Sequence, residues 1–222
     1  EEADEAQRPD ELARIRETLV ELDPDLVVLQ EVRPAELETL AAAFSGPRTA
    51  LGGGRGSSCA VLARRGRLVQ FDANGRDGRE PVHVIYRPDD GPDVQLIGLH
   101  ADPWSAAARN RQIGAAIDRL FATADLPVQI LAGDLNLDVD LGGGKDLFTE
   151  DEYLDVETYN YAAERLTDAA LRSGPTAEPD RRLDYVFVGG EAAEVSSAGV
   201  WRGRRAGGMD HHPVVVDVST RR

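Results

Sequence analysis

Carboxylates, histidines and an asparagine recur in this sequence at one kind of place, the end of a short apolar run of strand length, and that recurrence limits the folds open to it. Leu26 to Leu29 leads into Gln30-Glu31, and Val94 to Leu99 leads into His100. Val128 to Ala132 leads into Gly133-Asp134, with Asn136 two residues on. Asp184 opens the run Tyr185 to Val188, and Asp210-His211 precede Val214 to Val218. Apolar strand bodies are buried in a sheet while their ends emerge at its rim. One carboxylate after a strand is an ordinary turn residue. Several can converge on a single rim, as metal-assisted phosphoryl transfer requires.

Between these runs the apolar period changes to that of a helix. Asp10 is placed to cap a helix carrying Leu12, Ile15, Leu19 and Leu22, which Asp23-Pro24 ends because the residue before proline avoids the α region. Contiguous Leu26, Val27, Val28 and Leu29 predict a buried strand. A second helix follows Pro34, and a third covers Ser105 to Ala122 with Ile113, Ala116, Ile117 and Leu120 inward. A fourth is expected over Tyr161 to Leu171, after a polar stretch from Asp138 to about Thr158 that reads mostly as loop. Gly52 to Ser58 reads as a glycine-rich loop and Cys59 to Ala63 as a short strand. Val82 to Tyr86 and Val94 to His100 read as strands joined by the turn Pro88-Asp89-Asp90-Gly91, and three strands close the chain at Leu183 to Val188, Val195 to Trp201 and Val214 to Val218. Hairpin-like pairs mixed with helices imply stacked mixed sheets flanked by helices, in the α/β (α+β) class. No repeat or linker divides the chain, so 1–222 is expected to be one domain and a monomer.

Composition narrows the function. With 222 residues and 41% hydrophobic content, the chain can bury one large core. No apolar run approaches the ~20 residues that span a bilayer. Cys59 is the only cysteine, which excludes an internal disulfide and a cysteine-based zinc site. Forty acidic against 25 basic residues give a formal charge of −15. Such a chain repels polyanions at long range and lacks the basic footprint of an extended nucleic-acid binder. A small or lipid phosphoester is therefore favoured over nucleic acid as substrate.

The motifs Leu29-Gln30-Glu31-Val32, Leu99-His100, Gly133-Asp134-Leu135-Asn136, Arg182-Leu183-Asp184-Tyr185-Val186 and Asp210-His211-His212-Pro213 stand in an order and spacing that resemble the endonuclease/exonuclease/phosphatase superfamily, with its deoxyribonuclease I-like fold. Arg109 and Gln112, in the helix after His100, fit the same pattern. The resemblance implies a four-layer αββα sandwich and hydrolysis of a phosphoester with Mg²⁺ or Mn²⁺. By position it implies Glu31 as the principal metal ligand with Asp210 near the same ion. Asp134 would orient or deprotonate the attacking water, and Asn136 would hold phosphate and water. His211 would bind a phosphoryl oxygen or move a proton, with Asp184 fixing its ring, and His100 would face the phosphate from the other sheet. It also places Arg202, Arg204 and Arg205 in a loop near the rim, where arginine can grip phosphate bidentately. Trp104 is expected to pack, with substrate contact the alternative.

One departure concerns an asparagine. The family's strand before the first helix usually supplies one close to the metal, and the chain is expected to lack that strand. Two rivals to the hydrolase reading follow: a nuclease of the same fold, and a non-catalytic binding module that keeps the fold.

Overall fold

The computed structural model describes residues 2–43, 49–51, 58–71, 81–123, 126–139, 152–203 and 209–220. Their order is α1 (Glu2–Leu22), β1 (Leu26–Val32), α2 (Pro34–Ala43), β2 (Thr49–Leu51), β3 (Ser58–Ala63), β4 (Arg67–Gln70), β5 (Val82–Arg87), β6 (Val94–Gly98), α3 (Ala106–Thr123), β7 (Val128–Asp134), α4 (Glu152–Ala163), β8 (Thr167–Asp168), β9 (Asp184–Gly189), β10 (Ala193–Val200) and β11 (Val214–Thr220). The glycine-rich loop at 52–57 and Arg204 and Arg205 lie outside the described residues.

Six strands form a mixed sheet in the order β4-β5-β6-β7-β9-β8, in which only β6 and β7 run parallel. Helix α3 makes the crossover that a parallel pair needs. A three-stranded ladder, β1-β3-β2, and the hairpin β10-β11 make up the remaining strands. Ladder and hairpin both contact this sheet, β1 against β7 and the hairpin against β9.

Three hydrophobic seams define four layers. Ile113, Ile117 and Leu120 of α3 and Tyr159 and Ala162 of α4 meet Ile97, Leu131 and Phe187 of the six-stranded sheet. Val61 and Cys59 of β3 meet Val82, Val84 and Leu96 between the sheets. Leu19 and Leu40 of α1 and α2 meet Ala60 and Leu62 on the outer side of the ladder. The architecture is the αββα sandwich. Gly98 permits the sheets to approach, since a Cβ there would lie 2.8 Å from both Val28 Cγ1 and Val82 Cγ1.

The structure corrects four local expectations. Helix α4 spans Glu152–Ala163, so part of the supposed loop is helical and the expected helix over Tyr161 to Leu171 stops early and gives way to β8. Its inward face hid from the apolar pattern because it carries polar pairs to α3: Asp155 with Arg109 and Thr158 Oγ1 with Asn110 Nδ2 (2.8 Å). Asp10 is no cap, because α1 begins at Glu2 and runs through Pro9. Leu26 to Gln30 form the expected strand but are half-buried, since among the described residues β1 is bonded only to β3. Trp104 is not packed; it is 81% exposed.

Candidate active site

The rim at the ends of β7 and β9 gathers most of the singled-out side chains. Asp134 and Asp184 are direct partners across the antiparallel β7–β9 pair. Two like charges in that position disfavour each other unless a cation or proton intervenes. His211 supplies the first: its Nδ1 lies 2.8 Å from Asp184 Oδ2. His100 Nε2 lies 3.5 Å from Asp134 Oδ2 on the other side. Asn136 is 5% exposed; its amide donates to Asp134 Oδ1 (2.9 Å) and its Nδ2 to the Ala101 carbonyl (3.1 Å). The Ala101 amide donates in turn to the Asp134 carbonyl (2.9 Å), locking the strand ends that carry His100 and Asp134 together.

Backbone conformation aims these groups. Gly133 has φ +140°, and a Cβ there would lie 2.0 Å from the Leu99 carbonyl oxygen, so only glycine lets β7 turn out at Asp134. Asn136 at φ +50° and Glu31 at φ +56° are left-handed without being glycine. Such conformations are kept where the surroundings enforce them, often at functional sites. For Glu31 the cause is a bulge: between Leu29↔Ala60 and Val32↔Ser58, β1 carries one residue more than β3. The extra residue breaks the side-chain alternation and turns Glu31 to the exposed rim.

Electrostatics follow from the crowding of acids. Burial foremost, then the charge of Asp184, pushes the Asp134 carboxyl up to about 7, with Glu31 adding and His211 and the Asn136 amide opposing. For His211, burial disfavours the charged ring, but the bond to Asp184 and the charges of Asp184, Asp134 and Asp210 outweigh it and raise it to about 9. Glu31 and Asp210 thus lie within electrostatic reach of the constellation. Among the described residues no three histidine, cysteine, aspartate or glutamate side chains converge closely enough to enclose a metal ion. The exposed rim residues offer oxygen donors, Glu31 and Asp210, and the one thiol, Cys59, is buried between the sheets. That donor chemistry fits Mg²⁺ or Mn²⁺, hard cations that keep several waters and take one or two carboxylates.

The basic loop is only partly within view. Arg202 is exposed and its guanidinium donates to the Pro175 carbonyl. Trp201 lies against Gly203, where a Cβ would stand 1.7 Å from the indole.

Two supporting residues escape sequence reasoning. Thr176 is fully buried; its hydroxyl accepts the amides of Leu183 and Asp184 (3.0 Å each), and its carbonyl accepts the His212 amide (2.7 Å). One residue therefore sets both Asp184 and the His211 segment, and a lone threonine between Pro175 and Ala177 carries no sequence signal. Arg8 of α1 grips Glu36 at 2.7 and 2.6 Å and donates to the Glu31 carbonyl (2.8 Å). Glu36 also accepts the Arg33 amide (2.9 Å), half of a capping box at the start of α2. The bulge that presents Glu31 is held from behind by a helix 23 residues away in sequence.

Fold and rim together define a four-layer sandwich whose sheet ends present an acid–histidine constellation. The chain belongs to the Endonuclease/Exonuclease/phosphatase family, whose model matches residues 2–206. The family's name covers enzymes that cleave phosphoester bonds. Among solved structures, the chain resembles an endonuclease/exonuclease/phosphatase from Beutenbergia cavernae DSM 12333, with a TM-score of 0.74 and 26% identity. That match covers 94% of this chain and 66% of the other, so this chain spans less than two thirds of its length. A functionally unknown conserved protein from Enterococcus faecalis V583 matches with a TM-score of 0.70 and 17% identity, over 94% of this chain and 91% of that one. The structure of D. rerio TDP2 complexed with single strand DNA product matches with a TM-score of 0.72 and 16% identity, over 96% and 90%. No curated protein sequence matches.

Proposed function

We propose that this chain is a divalent-metal-dependent phosphoester hydrolase that activates water for attack on a phosphoryl group. The observation that carries the reading is the constellation His100–Asp134–Asp184–His211, in which a buried carboxylate sits between an imidazole and a second carboxylate that itself holds an imidazole. Glu31 and Asp210 would hold Mg²⁺ or Mn²⁺, which when bound polarises the phosphoryl oxygen. Asp134, with its proton affinity raised by burial, takes the proton of the attacking water. Asn136 keeps that carboxylate oriented and offers its amide edge to phosphate. Asp184 fixes the His211 ring through Nδ1, leaving Nε2 to donate to a phosphoryl oxygen or to the leaving group. His100 faces the same phosphate, and Arg202, Arg204 and Arg205 steady the substrate from the β10–β11 loop.

The test is turnover of a generic phosphomonoester and a phosphodiester, with added Mg²⁺ and with chelator. Chelation abolishes turnover, and Asp134→Ala and His211→Ala each lower kcat by about 10²- to 10⁴-fold while circular dichroism stays native. Unchanged turnover in both variants overturns the reading. The net charge favours a small or lipid phosphoester over a polyanion. A nuclease is the second reading, favoured by the likeness to a protein crystallised with a single-stranded DNA product.

The single-domain reading with one strand missing belongs to the same proposal. Its support is topological: β1 and β11 each end a ladder among the described residues, and those ladders lie against β7 and β9, which are neighbours. An asparagine-bearing strand between them would complete one sheet.

A further inference from the structure

Trp104 exposes 81% of its surface, yet the turn that carries it is among the most firmly held on the rim. The Asp102 amide donates to Gln112 Oε1 (2.8 Å), and the Asp102 carbonyl accepts from Arg109 Nη1 (3.1 Å). Asp102 Oδ1 accepts the amides of Trp104 and Ser105 (2.8 Å each). Arg109 is itself fully buried and paired with Asp155 at 3.0 and 2.6 Å. A backbone fixed this thoroughly, under an indole left in water, presents a large apolar surface on a turn whose backbone ordering cost is already met in the free protein, so that binding has only the two side-chain torsions of the indole left to order.

Its position relates it to the reacting phosphate. Ala101 bonds to the Asp134 carbonyl and to Asn136, and Trp104 follows three residues later, at most about 10 Å of chain away. That is the reach of a nucleoside from its phosphate. A lipid surface is the poorer partner. Interfacial insertion uses several apolar residues together, aided by attraction to anionic headgroups. Here the turn's other members are Asp102, Pro103 and Ser105, and the chain's charge is −15. Stacking on a planar ring needs one aromatic face and no net charge.

We propose that Trp104 is the stacking platform for the heteroaromatic base of a nucleotide-containing substrate whose phosphate lies against Asp134 and His211. The proposal rests on the hydrolase reading for the second half of that statement only, so the experiment separates the two. Tryptophan fluorescence is followed in a Trp201→Phe background, where Trp104 is the sole indole, during titration with adenosine 5′-monophosphate or with ribose 5-phosphate. Saturable quenching by the nucleotide alone is expected. Trp104→Ala then raises KM for a nucleotide phosphodiester roughly 5- to 100-fold with kcat nearly constant, Trp104→Phe recovers most of the loss, and a base-less methyl ribose phosphodiester is indifferent to either change. Equal response to both ligands, no response to either, or a blue shift only on phosphatidylcholine vesicles overturns the platform. Base-dependent quenching in a protein without turnover upholds the platform and overturns the hydrolase.

Discussion

At the residue scale, three positions let the fold and the site be tested. His83 is buried in β5, stacked on Phe71 with ring centroids 4.1 Å apart, and faces Gln95 Nε2 at 3.0 Å. With a donor opposite, its Nε2 accepts and the ring is neutral. Burial foremost, then the charge of Arg119, lowers its proton affinity to about 4. Because the folded value lies below the ordinary 6.5, the contribution is complete above pH 6.5 and declines as pH falls toward 4. The loss amounts to about 3 kcal/mol at most. Thermal melts between pH 7 and 4.5 therefore fall more steeply for the wild type than for His83→Phe; parallel slopes would sink the assignment. At Gly133, the positive φ and the Leu99 carbonyl leave no room for a methyl group. Gly133→Ala is expected to lower stability by about 2–4 kcal/mol in a denaturant melt, more than an ordinary glycine replacement. Asp184→Asn keeps the shape but removes the charge holding His211, and kcat falls about 10- to 100-fold with the melting temperature nearly unchanged.

At the scale of elements, helices do more than cover sheets. The Arg109–Asp155 pair joins α3 to α4 with both side chains fully buried. Breaking one partner leaves a buried charge, so Asp155→Ala costs about 3–5 kcal/mol, whereas Arg109→Met with Asp155→Leu recovers most of it. Chemical denaturation of the three variants checks this, and equal destabilisation of single and double variants would contradict it. The same pair shows why one helix was illegible. Apolar periodicity found α3, whose inward face carries Ile113, Ala116, Ile117 and Leu120, but missed the start of α4, whose inward face holds an ion pair and a hydrogen-bonded threonine before Tyr159 and Ala162 enter the core. Short strands such as β2, β4 and β8 escaped for another reason: two to four residues are too few to show alternation, and their pairing partners alone make them strands.

At the scale of the molecule, the charge of −15 is a field acting on every ligand that approaches. For a polyanionic substrate, kcat/KM should rise with salt up to about 0.15 M as repulsion is screened, while a singly charged ester responds little. A rate that falls steeply with salt for the polyanion would instead reveal a local basic groove and favour the nuclease. The sequence alone determined the layered class and the family, because strand-length runs flanked at one end by Glu31, His100, Asp134, Asp184 or Asp210-His211 are local patterns that survive in one dimension. Tertiary structure alone decided how those ends meet: the β7–β9 register that sets Asp134 opposite Asp184, the β1 bulge held by Arg8, and the turn that leaves Trp104 in water. Each depends on a partner far along the chain, through a hydrogen bond or a backbone clash that no local spacing encodes.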